Sequence, residues 1–192
     1  MNNSSINNIG IRRDQKVINQ IAECYKISNY IDILAMTAES SAESIDTFKN
    51  NMITKTANIR ILALNPESAL VPYRFKYLNG RPVYDLKSQN QRALQNYIKF
   101  ADDLKKEHSE ELRETESTFE YRFYDSIPYF SYVRCDDTIF LGIYTSNKIT
   151  RLSNVLKVEF ENDRSLFEDL TSNFDTIWMG SMESSIIRIE KR

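Results

Sequence analysis

Apolar residues recur at helical spacing in some segments of the chain and at strand spacing in others. Val17, Ile18 and Ile21 lie on one face of a helix predicted over residues 14–28. Two short apolar runs follow, YIDILAMTA and ANIRILALNP, with a helix between them that Ser41 is expected to cap. Strand, helix and strand within about 35 residues predict a βαβ unit whose strands run parallel.

The second half of the chain is dominated by strand patterns. A long amphipathic helix is predicted over residues 88–114, and a closing helix over residues 165–181. Between them the runs FEYRFYDS, PYFSYVRC, DTIFLGIYT and VLKVEFE are rich in aromatic and β-branched residues. We therefore predict an α/β fold with a mixed β-sheet flanked by helices. The division expected from the pattern is an N-terminal helical lead (1–29), one α/β domain (30–182) and a C-terminal tail (183–192).

Composition narrows the classes of function. The 192 residues include 25 basic and 27 acidic side chains, so no surplus of positive charge argues for nucleic acid as a partner. No apolar run approaches the length of about 18 residues that a membrane span needs. Two cysteines are too few for a disulfide framework, and they indicate reduced thiols in a cytoplasmic protein. The single histidine, His108, lies in a charged helical run and is expected to be a surface residue.

One stretch, PYFSYVRCDDTIFLG, has the frame of a catalytic strand pair. Together with the βαβ unit, the long helix, the Leu64–Pro66 turn and the closing Phe174–Trp178 segment, it resembles one half of the phospholipase D superfamily. That superfamily carries H-x-K-x4-D followed by an apolar strand and a glycine turn. Asp136 and Gly142 fit the pattern, but Tyr129 stands at the histidine position and Ser131 at the lysine position.

The resemblance implies a phospholipase D-like fold that lacks the catalytic histidine and lysine of the superfamily and is therefore inactive as a phosphodiesterase. In the superfamily the histidine is the nucleophile and the lysine neutralises phosphate charge, whereas a phenol with an unperturbed pKa near 10 is a poor nucleophile at pH 7. We therefore predict no catalytic residue, metal or cofactor. We expect a sensor or assembly module that binds a phosphate-bearing or nucleotide-like small molecule or a protein partner, and that forms a homodimer.

The expected ligand site lies where the first two strands end. A loop leaving the carboxyl end of a parallel strand usually contributes to binding, and serines before a helix can hold an anion. The residues predicted to bind ligand are Ser40, Ser41, Asn65, Tyr73, Arg74, Tyr129, Ser131 and Thr145.

Two other interpretations stay open at this point. A divergent phosphodiesterase or nuclease could use Asp125, Asp136 and Asp137 around a metal. A purely structural subunit would use Tyr129 and Ser131 as ordinary interior. Arg134, beside Asp136 and Asp137, is either a phosphate donor or, as we favour, one partner of a cross-strand ion pair.

Overall fold

The computed structural model describes residues 11–12, 15–71, 83–127, 129–144, 154–181 and 187–189. The helices are α1 (Gln15–Ile27), α2 (Glu39–Ala42), α3 (Ile45–Thr54), α4 (Val83–Glu107), α5 (Ser109–Thr115) and α6 (Arg164–Gly180). The strands are β1 (Ile11–Arg12), β2 (Tyr30–Ala35), β3 (Asn58–Leu64), β4 (Thr118–Tyr124), β5 (Phe130–Cys135), β6 (Thr138–Ile143), β7 (Asn154–Glu159) and β8 (Ile187–Ile189).

The strands described form one mixed sheet in the order β1-β7-β6-β5-β2-β3-β4-β8. β2, β3 and β4 are parallel neighbours at its centre, and every other pairing is antiparallel. The predicted fold class, α/β with a mixed sheet flanked by helices, is confirmed, and so is the parallel βαβ unit.

Each face of the sheet has its own apolar core. On one face, helices α1, α3 and α4 contribute Val17, Phe48 and Tyr97 to a cluster with alternate residues of β2, β3 and β4. On the other face, α6 contributes Phe174 and Trp178 to a second cluster. Asp163 is the N-cap of α6, and its carboxylate accepts the backbone N–H of Leu166 at 3.3 Å.

Three local predictions need correction. Ser41 does not cap the helix after β2, because it lies inside the short α2, and Ser44 occupies the N-cap position of α3 without a side-chain cap bond. The helix predicted over 88–114 begins earlier and is interrupted at His108, between α4 and α5. His108 itself is half-buried, with Nδ1 3.2 Å from Glu111 Oε1.

The predicted lead and tail are not separate from the domain. β1 pairs with β7 at one edge of the sheet, and β8 pairs with β4 at the other. α1 packs into the first core cluster through Val17, Ile21 and Tyr25. The boundaries at 29/30 and 182/183 therefore do not divide independent units, because the segments beyond them complete the same sheet and core.

Candidate functional site

Of the two serines predicted to bind ligand after β2, one has structural hydrogen-bond partners and the other faces solvent. Ser41 is buried, donates to Ala38 O at 2.9 Å and accepts the hydroxyl of Tyr97 at 2.9 Å. Ser40 is exposed. Asn65 accepts the backbone N–H of Glu67 at 3.0 Å, which is an Asx turn. Tyr73, Arg74 and Thr145 lie outside the described residues.

Asn90 closes the space between the carboxyl ends of β2 and β3. Its Nδ2 donates to Met36 O at 3.1 Å and to Leu64 O at 2.9 Å, while its buried Oδ1 has no partner within the described part of the chain. In open α/β sheets a ligand commonly occupies this kind of crevice. Here the side chain of Asn90 fills this position, so the carbonyl groups at the two strand ends already accept hydrogen bonds from within the protein.

Ser131 lies on the first-cluster side of β5, as the alternation predicted, and Tyr129 directly precedes the strand. Among the residues that the structure describes, the two do not line an enclosed pocket. Tyr129 is 68% exposed. Ser131 is half-buried beside its cross-strand partner Gly142, whose carbonyl accepts its hydroxyl at 3.4 Å. A Cβ on Gly142 would lie 2.4 Å from Ser131 Oγ, so the glycine leaves room for the serine.

The aspartates proposed for a metal lie far apart. Asp125 follows the carboxyl end of β4 and accepts the hydroxyl of Ser68. Asp136 follows β5, beside the amino end of β2, where it accepts backbone N–H groups of Asn29 and Tyr30. No group of three or more His, Cys, Asp or Glu side chains suited to a metal occurs among the residues described.

A polar cleft that was not predicted from the sequence opens on the α6 face, above the amino-terminal halves of β2, β3 and β4. Its volume is about 440 Å³. Two rows of in-register side chains form its floor, and the lining also includes Ile59, Arg134 and Trp178. The rows are Tyr30, Asn58 and Thr118, followed by Asp32, Arg60 and Glu120. We call this site the arginine cleft.

Asp32 is the buried anion of the arginine cleft. Arg60 donates to its two oxygens from Nε at 2.6 Å and from Nη2 at 2.9 Å, a bidentate pair. Arg134, the direct cross-strand partner of Asp32, has Nη1 3.6 Å from the same carboxylate. The expected cross-strand ion pair of Arg134 is therefore present, with Asp32 as its acid.

Arg60 also links the sheet to α6. Its Nη1 donates to Asp175 at 2.9 Å, and its guanidinium lies 4.9 Å from the ring centre of Phe174 and 5.3 Å from that of Trp178. Burial would lower the pKa of Arg60, but the hydrogen bonds and charges of Asp32 and Asp175 raise it above its ordinary value. The guanidinium therefore keeps its charge inside the cleft.

Glu120 anchors a second charged group at the edge of the cleft. Arg122 Nη2 lies 2.6 Å from its carboxylate and Arg188 Nε lies 3.2 Å away. The guanidinium of Arg122 also lies 4.2 Å from the ring centre of Trp178. Together with Arg60, Arg134, Asp32 and Asp175, these side chains form a network of four guanidinium groups and three carboxylates on this side of the sheet.

A signal for the cleft was present in β3. Its sequence, NIRILAL, is apolar throughout its last four residues but alternates in its first three. Full burial of both faces gives a continuous apolar run, whereas alternation indicates one polar face. Asn58 and Arg60 thus marked a partly open face, and only the register of β2 and β4 puts Asp32 and Glu120 beside them.

Comparison with known proteins leaves the family open. No family model and no curated protein matches the chain. Among solved structures it is similar to TrmBL2, an archaeal chromatin protein reported to show a novel mode of DNA binding, with 13% identity and a TM-score of 0.48. The similarity covers 90% of this chain and 52% of that one, so this chain spans about half of that protein's length. A similarity this distant assigns neither a family nor a partner, and the phospholipase D resemblance and the expectation against nucleic acid both stay predictions.

None of the described helices is long and apolar enough to cross a membrane.

Proposed function

We propose that this protein is a non-catalytic binding module with a phospholipase D-like frame, which acts as a sensor or assembly unit by binding a small phosphate-bearing ligand in the arginine cleft. The observation that carries the proposal is the placement of Arg60 and Arg134 around one cleft of about 440 Å³ beside Trp178. That volume falls within the range of small-molecule sites, about 300 to 1,000 Å³.

Arg60 has one bond that an incoming anion could replace. Its bidentate partner Asp32 is buried, but Asp175 Oδ1, which accepts its Nη1, belongs to a side chain that is 48% exposed. A ligand phosphate would take the place of Asp175 while the Asp32 pair keeps the guanidinium oriented. Guanidinium groups suit phosphate because their donors match its oxygens two at a time.

Neutral donors surround the charged groups. Thr118 donates to Asn58 Oδ1 at 2.7 Å, which leaves the amide nitrogen of Asn58 on the cleft floor. The exposed ring of Tyr30 lies at the same row of the floor. These groups supply hydrogen bonds and a stacking surface for the part of a ligand that is not phosphate, as in a nucleoside monophosphate.

Calorimetric titration with inorganic phosphate and with ribonucleoside monophosphates tests the proposal. Arg134→Gln should weaken binding about tenfold to a hundredfold, because a hydrogen bond to a charged group contributes roughly 1.5 to 3 kcal/mol. The matched control is Arg164→Gln on α6, whose side chain is exposed and paired with Glu168. Absence of binding by the wild-type protein, or equal binding by the two variants, would contradict the proposal.

We also propose that the module forms a homodimer. Support comes from three exposed apolar side chains around the start of β5 and the end of β6, namely Ile127, Tyr129 and Ile143. Ile143→Ser should shift sedimentation equilibrium toward monomer, whereas Ile27→Ser, an exposed position on α1, should not. A monomeric wild-type protein would contradict this assignment.

A further inference from the structure

A second concave surface, which we call the α6 groove, runs along one flank of helix α6. Its volume is about 630 Å³. One side of the helix lines it with residues that recur every four positions and therefore share a face, namely Phe167, Thr171, Asp175 and Met179. Phe160, the residue after β7, also lines the groove and packs edge to face against Phe167, with ring centres 5.4 Å apart.

The α6 groove exposes apolar surface to solvent. Met179 is 80% exposed, more than any other large apolar side chain among the residues described. Phe160 is half-buried, and buried Phe167 lies at the base of the same groove. Because contiguous apolar surface that stays exposed often marks a contact with another molecule, this flank of α6 is a candidate interaction surface.

Acidic side chains accompany this apolar surface. Glu168 and Asp175 line the groove itself. Between residues 159 and 180 the chain carries six acidic side chains and one basic side chain, Arg164, whereas the rest of the chain has more basic than acidic side chains. The charge of this segment attracts a positively charged partner and repels a negatively charged one.

Arg164 shows which chemical group this surface binds. Its guanidinium lies 5.1 Å from the ring centre of Phe160, and its Nε donates to Glu168 Oε1 at 2.8 Å. The side chain of Arg164 is 71% exposed, and an exposed ion pair of this kind contributes little to stability. A guanidinium from another molecule could therefore replace Arg164 beside Phe160 and Glu168 without disturbing the fold.

From these features we infer that the α6 groove binds a basic amphipathic helix of a partner protein. An arginine of the partner replaces Arg164, since a guanidinium can stack on an aromatic ring and pair with a carboxylate at the same time. Apolar side chains of the partner cover Phe167 and Met179. The groove follows α6 for about 16 Å between Glu168 and Met179, which three turns of a partner helix would span. The inference does not depend on a ligand in the arginine cleft.

Fluorescence anisotropy with labelled peptides and the full-length chain tests the inference. The probe is a helical peptide of about four turns that carries arginine and leucine on one face. One control peptide has serine in place of each leucine, and a second has glutamine in place of each arginine. The wild-type protein should bind the probe at least about tenfold more tightly than either control, because the groove supplies both apolar and acidic contacts.

Variants of the protein locate the binding surface. Glu168→Lys reverses a charge in the groove and should weaken binding of the probe about tenfold, whereas Glu23→Lys, at another exposed and ion-paired acid, should change it less than about twofold. Met179→Ser should weaken binding, and Ile27→Ser, at an exposed apolar position of α1, should not. Arg164→Gln should strengthen binding severalfold, because it removes the competing guanidinium.

Three results would overturn the inference: no binding of the probe by the wild-type protein, equal affinity for the serine control peptide, or equal effects of the substitutions at Glu168 and Glu23. Sedimentation equilibrium of the protein alone supplies a further check. If Met179→Ser converts a wild-type dimer to monomer, a second copy of this chain covers the groove and the assignment to a partner helix is wrong.

Discussion

The carboxylate of Asp136 fixes the first residue of β2 by accepting the backbone N–H of Tyr30 at 2.8 Å. The N–H of Asn29 lies 3.1 and 3.2 Å from its two oxygens, and the N–H of Asp136 donates back to Tyr30 O at 2.9 Å. Asp136 adopts φ of 47°, in the left-handed region that Asp, Asn and Gly tolerate better than other residues. The residue that fits the motif aspartate therefore has a structural role, at the opposite end of β5 from Ser131.

Two substitutions of Asp136 should distinguish the contribution of its side-chain hydrogen-bond acceptor from that of its left-handed backbone conformation. Asp136→Ala should lower the free energy of unfolding by about 2 to 3 kcal/mol, because it removes the bonds to two N–H groups and places a β-carbon in the left-handed region. Asp136→Asn retains an acceptor and that conformational tolerance, so its loss should stay within about 1 kcal/mol. Urea unfolding at pH 7 measures both, and equal losses would show that the carboxylate is not the anchor of β2.

Arg60 should contribute more to the free energy of unfolding than an exposed arginine that also forms a short ion pair. Arg60→Met leaves Asp32 buried with only the longer contact to Arg134, which should lower the free energy of unfolding by about 3 kcal/mol. Arg92→Met removes the exposed pair with Glu39, at 2.9 Å, and should change it by less than about 1 kcal/mol.

The double variant Asp32→Leu/Arg60→Met supplies the control for this comparison. It removes the buried charge together with its partner, so most of the stability lost in Arg60→Met should return. If denaturant unfolding gives the double variant a larger loss than Arg60→Met alone, desolvation of Asp32 is not the cause.

Gly142 and Ser131 should be energetically coupled. In Gly142→Ala the new methyl group meets the hydroxyl of Ser131 and forces it out of its present rotamer, at an expected loss of about 1 kcal/mol. In a Ser131→Ala background the oxygen is gone, and the same change at position 142 should be neutral. A double-mutant cycle by thermal unfolding measures the coupling, and additive effects would exclude the close approach.

Four buried tyrosines should make the fold sensitive to alkaline pH. Burial raises the pKa of each one in the folded protein, although the hydroxyl of Ser41 partly offsets this at one of them; they are Tyr97, Tyr121, Tyr124 and Tyr132. Because the folded pKa lies above the unfolded value near 10, stability is complete below pH 10 and decreases above it. Each tyrosine contributes a decrease of up to about 1.4 kcal/mol per pH unit.

Absorbance at 295 nm and melting temperature between pH 9 and 12 measure this effect. The four buried phenols should ionise only together with loss of the native circular dichroism. Complete ionisation of all 11 tyrosines in a protein that retains its native signal would contradict the assigned burial.

Most of the elements were predictable from the sequence because each depends on a local period, whereas α2 and the short edge strands β1 and β8 were not predicted. β3 and α6 appear almost where alternation and helical spacing predicted them. The arginine cleft was not predictable in the same way, since it depends on the register that aligns Asp32, Arg60 and Glu120 across three strands. One charged residue in an apolar strand carries little information until its neighbours are known.

The predicted ligand site also shows that three-dimensional contacts could not be predicted from the sequence. Sequence order correctly placed Ser41 and Asn65 near strand ends, but it gave no means of knowing that Tyr97 and Glu67 already occupy their hydrogen-bonding groups.

The position of β2 between β3 and β5 has a consequence for how the chain acquires its structure during synthesis. One side of β2 pairs with β3 soon after both emerge from the ribosome, but its other partner, β5, is completed only at Cys135. Until then β2 exposes a row of unpaired backbone groups, which is a template for pairing with another chain. The nascent protein should therefore be most prone to aggregation between translation of β3 and translation of β5, and chaperones that shield strand edges should act on it in that interval.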